Sequence, residues 1–243
     1  MPLHLYHEPV KGHLYCYGLD SSRGGGGDNS VLDVLDASVS PPTEVVCLRS
    51  NKLDAMDLAK NARDLHDYGY EVARGNKYIP RSGGLVPEIT GDKDIVHQLQ
   101  SRFDLDFWYV QEKEAKPRSL EPVAVNFGFH TSEASKTTIV SFLHACLVRR
   151  ALFYSNPWLQ DEARYWSRFE GNWKYGLASG HSGGHGDVTM AIALALAGVV
   201  VVQENAGIAP FCREAQSVRV SQSYWEWEAR SGPWKRQGHL AAR

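Results

Sequence analysis

Hydrophobic residues in the first third of the chain recur at the spacing of short β-strands. Runs rich in Val, Leu, Tyr and Cys span 13–19, 30–35 and 44–48, and glycines at 24–27 and prolines at 41–42 separate them. Strands punctuated in this way predict an antiparallel meander. A three-residue period from Leu53 to Leu65 then predicts a helix packed on that sheet. A further strand is predicted at 70–74.

The rest of the chain alternates between helical and extended patterns. Helices are predicted at 95–100, 135–149 and 158–169, and extended segments at 107–110, 151–154 and 173–178. An Ala-rich stretch that begins at Asp187 is apolar on nearly every side, which predicts a buried helix. Strands followed by alternating helices and strands indicate an α/β fold, in which a mixed β-sheet has helices on both faces.

Chain length and composition narrow the class of protein. The 243 residues can bury about 70 % of the unfolded surface around one core. We assign that core to 1–203 and expect the Trp-rich segment 204–243 to be a tail or subunit contact. Four cysteines without a C-x-x-C pair indicate reduced core thiols.

Charge and hydropathy exclude some environments. The net charge of −2 gives no global positive field, so any contact with nucleic acid depends on local patches. The longest apolar run, 188–202, is shorter than the roughly 18 residues that a membrane span needs. We therefore expect a soluble cytoplasmic protein without a membrane partner.

Asp20 closes an apolar strand and opens the glycine loop at 21–28. A carboxylate at a strand end is well placed for Mg²⁺, which prefers hard oxygen ligands. Two other interpretations stay open at this point: Asp20 starts a turn, or the glycines cradle a phosphate as in actin-like ATPases. The phosphate loop G-x-x-x-x-G-K-[ST] does not occur in the sequence.

Asp187 follows a glycine loop that contains His181 and His185. Free backbone N–H groups and the helix dipole stabilise an acid in a first helical turn, by about 0.5–2 kcal/mol. Capping of the helix is therefore one explanation for Asp187. Capping does not explain the two histidines. A His and an Asp two residues apart can approach one metal ion or one phosphate, so a cap and a catalytic site both remain possible interpretations.

Four motifs follow one another along the chain. The first is the segment 8–13 followed by the strand that ends at Asp20, and the second is the turn at 26–30. The third is Gly-Phe-His-Thr at 128–131 followed by Lys136, and the fourth is Gly-His-Gly-Asp at 184–187 followed by the Ala-rich helix. Together they resemble the C-terminal nuclease domain of the large terminase subunit of tailed bacteriophages, over residues 5–202. The resemblance implies an RNase H-like fold.

The resemblance also implies a metal-dependent endonuclease that cuts double-stranded phage DNA during genome packaging, in the cytoplasm of the bacterial host. One or two Mg²⁺ or Mn²⁺ ions would be held by Asp20 and Asp187, with Asp28 and Glu71 as further candidate ligands. Two cations about 3.5–4 Å apart can activate water, neutralise the phosphate and assist the leaving oxygen. His185 is a candidate to orient the attacking water.

Two cationic residues are candidates for DNA contacts. Arg23 lies in the glycine loop beside Asp20 and can clamp the DNA backbone. Lys136 lies at the start of the helix predicted at 135–149 and can neutralise a phosphate. For both, a solvated surface residue is the alternative. By resemblance, the other partners are the terminase small subunit, the portal and an ATPase motor domain.

Departures from the family pattern leave alternatives. The second acid of the family is expected at the end of the strand predicted at 70–74, where Arg74 stands, and Gly186 replaces a further acid before Asp187. A guanidinium repels metal ions, so a catalytically impaired DNA-binding prophage remnant is one alternative. Another RNase H-like resolvase or strand-transfer enzyme is a second. Walker motifs are absent from the sequence, so we expect an excised domain, a split gene or a remnant.

Overall fold

The computed structural model describes residues 3–22, 27–72, 83–90, 94–104, 107–112, 125–169, 172–175, 186–209 and 211–212. The strands within these ranges are β1 (Leu3–Leu5), β2 (Tyr15–Asp20), β3 (Ser30–Asp36), β4 (Thr43–Ser50), β5 (Leu85–Pro87), β6 (Val110–Glu112), β7 (Val125–Phe127), β8 (Trp166–Phe169) and β9 (Asn172–Tyr175). The helices are α1 (Ala55–Val72), α2 (Asp94–Gln100), α3 (Glu133–Val148), α4 (Pro157–Ala163) and α5 (Asp187–Asn205).

A five-stranded mixed sheet in the order β1-β4-β3-β2-β5 forms the centre of the fold. Strands β1, β4, β3 and β2 pair antiparallel, and β5 pairs parallel with β2. The predicted meander is confirmed as β2, β3 and β4. A parallel neighbour needs a long crossover connection, and α1 lies within the connection from β4 to β5.

Helices cover both faces of the sheet, because successive side chains of a strand point to opposite faces. On one face, Leu58 and Ala62 of α1 pack in a cluster with Leu32 of β3. On the other face, α5 packs with α3 and α4 in a cluster that contains Val31 of β3 and Cys47 of β4. The predicted α/β fold with helices on both faces is confirmed, and all four cysteines are buried and outside any disulfide.

Helix α5 lies across the middle of the sheet. Its length and composition would allow it to cross a membrane, yet 89 % of its most apolar window is buried inside the protein. A core helix that is apolar all round has the same composition, and the packing of α5 on β2 and β3 accounts for its burial. The predicted buried helix is confirmed.

Two glycines allow α5 to lie close to the sheet. A Cβ atom on Gly18 of β2 would stand 1.9 Å from the carbonyl oxygen of Ala191 in α5. A Cβ atom on Gly198 of α5 would stand 2.4 Å from the carbonyl oxygen of Gly83. Side chains at these positions would push the helix away from β2, because backbone atoms cannot give way as side chains can.

Three predicted elements differ from the structure. Residues 70–72 form the end of α1, so the strand predicted at 70–74 is wrong; helix propagation, which adds one hydrogen bond per residue, extends α1 past Gly69. The helix predicted at 158–169 ends at Ala163, because Trp166–Phe169 pairs with Asn172–Tyr175 as a hairpin. Of the strand predicted at 151–154, the described structure contains one bridge, between Thr43 and Phe153.

Candidate metal centre at the strand ends

Two acids stand side by side where neighbouring strands end. Asp20 is the last residue of β2, and Glu88 directly follows β5. In the parallel pairing Leu19 lies opposite Pro87, and the backbone N–H of Glu88 donates to the carbonyl oxygen of Leu19 at 2.8 Å. Because the register continues by one residue, Asp20 and Glu88 face the same side of the sheet, which is the side covered by α5.

The third acid, Asp187, lies in the first turn of α5. Gly18, two residues before Asp20, abuts the carbonyl of Ala191, one helical turn after Asp187. This close crossing brings the start of α5 to the end of β2. Asn29, just before β3, fixes the acid, because its backbone N–H and its Nδ2 donate to Oδ2 of Asp187 at 3.0 and 3.2 Å.

The pKa of Asp20 reflects the charges gathered around it. Burial raises the pKa of Asp20 well above its usual range, and the carboxylates of Asp187, Glu88 and Glu162 raise it further, while the ammonium of Lys136 lowers it. Carboxylates crowded in this way are unfavourable until protons or cations compensate them. Carboxylate oxygens are also the ligands that Mg²⁺ prefers.

The three acids at the strand ends are less closely grouped than another set of metal-binding side chains in the sheet. The described part of the chain contains one group of three metal-binding side chains whose ligand atoms all lie within 4.8 Å of one another. This group, Asp33, Glu44 and Cys47, lies in a different part of the sheet. Asp20, Glu88 and Asp187 are therefore spread more widely than that. One ion held by all three acids would therefore need movement of their side chains or water molecules between acid and ion.

Glu162 of α4 supplies the cap that α5 lacks. Gly186 at the N-cap position makes no side-chain hydrogen bond, whereas Oε2 of Glu162 accepts from the N–H and the Oγ1 of Thr189 at 2.8 and 3.1 Å. Burial raises the pKa of Glu162 to about 7, and the charge of Asp187 adds to the effect of burial. Glu162 thus fixes the start of α5 and, with it, the position of Asp187.

Lys136 reaches the acids from α3. The segment before α3 is tied to the end of β5, because the N–H of Thr131 donates to Oγ1 of Thr90 at 2.7 Å. Ser132 then caps α3 in a capping box with Ser135. One turn further, Lys136 acts electrostatically on Asp20, and its Nζ lies 5.2 Å from the centre of the Trp166 ring, in a cation–π contact.

Trp166 explains the glycine that stands before Asp187. A Cβ atom on Gly186 would lie 2.5 Å from Nε1 of the Trp166 indole. The ring therefore occupies the space that an acid at position 186 would need. Where the resemblance implies a carboxylate, this chain has an indole that contacts Lys136.

Of the other predicted site residues, one lies in the turn beside this site, and the rest lie on the opposite face of the sheet or outside the described residues. Asp28 is exposed in the turn before Asn29. Glu71 lies near the end of α1, a helix packed on the opposite face of the sheet, and its side chain is outside the described residues. Arg23, His181 and His185 also lie outside the described residues.

Sequence analysis missed Glu88. The pattern predicts the second strand at 70–74 and so aligns Arg74 with the second acid, but the parallel strand is Leu85–Pro87. A strand of three residues that ends in proline is too short for alternation to reveal it. The available signal is an acid placed directly after a short apolar run that follows two glycines. Arg74 lies outside the described residues.

The mixed sheet, the crossover helix α1 and the helices on both faces define an RNase H-like α/β fold. No protein-family model matches the chain, and no curated protein matches it in sequence. Solved structures do match. The large terminase nuclease from thermophilic phage G20c gives a TM-score of 0.52 at 19 % identity, covering 79 % of this chain and 86 % of that chain.

Two further structures agree. The G20c nuclease with bound magnesium gives a TM-score of 0.53 at 18 % identity, over 79 % of this chain and 85 % of that chain. The large terminase nuclease domain of Thermus phage P74-26 gives 0.51 at 18 % identity, over 80 % and 84 %. The chain therefore has the fold of phage large terminase nuclease domains, and the resemblance predicted from the four motifs is confirmed at the level of fold. Fold alone does not determine chemistry.

Proposed function

We propose that this chain is a Mg²⁺- or Mn²⁺-dependent endonuclease that cuts double-stranded phage DNA during genome packaging. The supporting observation is that Asp20, Glu88 and Asp187 converge from three separate elements, within a fold shared with phage terminase nucleases. By the same resemblance, the small subunit, the portal and an ATPase motor domain are its proposed partners.

The donors at the strand ends fit a hard divalent cation. Asp20, Glu88 and Asp187 would hold one or two ions through carboxylate oxygens, with Asp28 in the adjacent turn as a further candidate. In this proposal Glu88 takes the place that the sequence offers to Glu71. When bound, such ions neutralise charge on the phosphate and lower the pKa of coordinated water.

Other residues of the chain hold the acids in position and balance charge. Asn29 and Glu162 fix Asp187 from two sides, one through the carboxylate and the other through the start of α5. Lys136, whose charge acts on Asp20, would contact a phosphate of the DNA backbone. We assign His185 to the attacking water, which it would orient, and Arg23 to a second phosphate contact.

The placement of Glu88 bears on the alternative of an impaired remnant. That alternative depends on Arg74 occupying the position of the second acid. Because Glu88 directly follows β5, an acid does stand at the end of that strand, and we favour the active nuclease. Resolvases and strand-transfer enzymes share the fold class, so the choice of substrate must distinguish them from a packaging nuclease.

Nicking of supercoiled plasmid by the purified chain tests the proposal. We expect nicking in Mg²⁺ or Mn²⁺ and none in a chelator. Asp20→Asn, Glu88→Gln and Asp187→Asn should each slow nicking by about 100-fold or more, which is the usual effect of removing a group that stabilises transition-state charge. A four-way junction offered as a competing substrate distinguishes a resolvase.

Asp161→Asn is the matched control, because Asp161 adjoins Glu162 but its side chain is 71 % exposed. This variant should nick like the wild type. Circular dichroism must show that each variant is folded. Salt-sensitive DNA binding without cutting would support the remnant instead. Undiminished cutting by folded Asp20→Asn would contradict the proposed metal centre.

A further inference from the structure

A second group of metal-binding side chains lies within the sheet, away from the strand ends. Asp33 of β3 and Cys47 of β4 are direct cross-strand partners. Glu44 lies three residues before Cys47, near the start of β4. Each offers one ligand atom, and these atoms all lie within 4.8 Å of one another. All three residues are 0 % exposed. Asp33 pairs with Gly18 rather than with Asp20, so this group is distinct from the candidate nuclease centre.

The carboxylates of this group lack hydrogen-bond partners at their inner oxygens. Neither oxygen of Asp33 makes a hydrogen bond in the described structure, and Oε1 of Glu44 makes none either. Burial raises the pKa of Asp33, although the Cys47 thiol and the Asn156 amide stand near enough to lower it in part. The other oxygen of Glu44, Oε2, accepts from the backbone N–H groups of Ser155 and Asn156 at 2.8 and 3.0 Å. These two amides orient Glu44 so that Oε1 is left for another ligand, as outer hydrogen bonds do around bound metals.

Buried carboxylates without partners are costly and need compensation. Without a cation, one proton shared between Asp33 and Glu44 would satisfy one oxygen of each, with the Cys47 thiol and the Asn156 amide beside them. A cation bound at the centre would satisfy both carboxylates and the sulfur together. Burial raises the pKa of the Cys47 thiol, and the charges of Asp33 and Glu44 raise it further.

A fourth donor stands at the edge of the sheet. His4 of the edge strand β1 lies opposite Cys47, so Asp33, Cys47 and His4 form one row across three strands on the same face. The ring of His4 is in contact with Trp158 of α4, with centroids 4.9 Å apart. Because His4 is exposed, this edge also offers a path by which an ion can enter.

Tyr6 lies between this edge and the buried group. Its hydroxyl is buried without a partner in the described structure. The pKa of Tyr6 is raised by burial first, and then by the charges of Glu44, Cys47 and Asp33. The Tyr6 ring stacks with that of His4, with centroids 6.2 Å apart, and its hydroxyl can donate to a carboxylate oxygen that a metal ion does not use.

We propose that Asp33, Glu44, Cys47 and His4 form a structural zinc site that ties the edge strand β1 to the sheet. Thiolate, imidazole and carboxylate are the donors that Zn²⁺ takes in tetrahedral sites, at about 2.0–2.3 Å. Donors at that distance from one ion stand less than about 4 Å apart, so the three buried atoms need small shifts and His4 a rotation of its side chain. Binding releases to solvent the thiol proton and the proton that Asp33 and Glu44 share in the metal-free chain.

Cobalt titration of the metal-stripped full chain tests this site. Co²⁺ replaces Zn²⁺ in such sites, and a thiolate ligand gives a charge-transfer absorption band that oxygen ligands do not. We expect this band to saturate at one Co²⁺ per chain and to disappear when Zn²⁺ is added. Zn²⁺ should also raise the thermal unfolding midpoint of the metal-stripped chain.

Variants separate this site from the nuclease centre. Cys47→Ser should abolish the band, and His4→Ala, a change at an exposed position, should weaken Co²⁺ binding at least tenfold without unfolding the chain. Asp20→Asn should keep the band, as should Cys146→Ser, which alters another buried cysteine. The proposal is overturned by absence of the band in the wild type, by its persistence in Cys47→Ser, or by unchanged affinity in His4→Ala.

Discussion

Single residues at the strand ends set the charge state of the candidate metal centre. Asp20 has its pKa raised by burial and then by Asp187 and Glu88. For an acid with a raised folded-state pKa, the associated stability is present below the unfolded pKa and is lost as the pH rises through the folded pKa. At neutral pH without metal, Asp20 is therefore less favourable in the folded chain than in the unfolded chain, where its carboxyl ionises freely.

Asp20→Asn should thus unfold at a higher temperature than the wild type in a chelator at neutral pH. A gain of about 1 kcal/mol corresponds to about 2–4 °C for a domain of this size. Added Mg²⁺ should stabilise the wild type and leave Asp20→Asn unchanged, because binding requires the carboxylate. Thermal unfolding with and without Mg²⁺ measures both effects. A variant less stable than the wild type in chelator contradicts the charge argument.

Glu162 should make stability depend on pH just below neutrality. Its pKa is raised from 4.5 to about 7, so the folded chain binds an extra proton between these values. Stability from this group is complete below pH 4.5 and is lost as the pH rises through about 7. The total change in the free energy of unfolding is on the order of 3 kcal/mol. Glu162→Gln, which keeps an acceptor for Thr189, should remove this dependence on pH.

Urea unfolding at a series of pH values in chelator measures this slope. Asp161→Asn changes the neighbouring exposed acid and should keep the slope of the wild type. Equal slopes in the wild type and in Glu162→Gln would show that the carboxyl of Glu162 titrates normally.

At the scale of elements, the crossing of α5 over β2 determines whether the acids meet. Gly18→Ala places a methyl group 1.9 Å from the Ala191 carbonyl oxygen, so α5 must move. We expect the free energy of unfolding to fall by about 3 kcal/mol or more, in the upper range for overpacked cores. Nicking should also fall markedly, because Asp187 moves with α5.

Gly27→Ala is the matched control, since a Cβ atom at Gly27 would have nothing within 4 Å. Its stability should change by less than about 0.5 kcal/mol. Urea unfolding and plasmid nicking of the two variants provide the comparison. Equal stability of the two variants would mean that α5 is not held against β2 at Gly18.

Elements with a long and regular pattern were predictable, and short ones were not. The period of α1, the apolar stripe of α3 and the uniform apolarity of α5 identify these helices from sequence. Strand β5 has three residues and Trp166–Phe169 lies in a helix-like pattern, so each depends on a partner strand that local spacing cannot identify. The position of Glu88 was missed for the same reason.

At the scale of the whole molecule, the core extends past the end of α5. Ile208, Phe211 and Cys212 pack with the cluster around α3 and α5, and the rings of Phe142 and Phe211 have centroids 5.8 Å apart. The sequence predicts that the folded core ends at residue 203. This boundary can therefore be tested against one after residue 212.

A chain that ends after Cys212 should retain the stability of the full chain to within about 1 kcal/mol. A chain that ends after Gln203 should lose about 3 kcal/mol or more, because it lacks the end of α5 and the side chains that pack beyond it. Urea unfolding of both chains measures the difference. Equal stability of the two would place the boundary of the folding unit at 203.

The sequence by itself determined the class of fold and two of the acids. Side-chain periodicity is local, so it identifies the meander, α1, α3 and α5. Motifs at the ends of such elements identify Asp20 and Asp187 as candidates. Chain order and spacing were enough for the RNase H-like resemblance that the solved structures confirm in fold.

Only the tertiary structure decided which residues meet. Glu88 joins Asp20 because β5 pairs parallel with β2, and Asp187 joins them because Gly18 lets α5 approach. The cap from Glu162, the indole beside Gly186 and the row of Asp33, Cys47 and His4 likewise depend on pairings between distant segments. Local sequence patterns do not specify such long-range contacts, because register and helix crossing are set by the packing of the whole core.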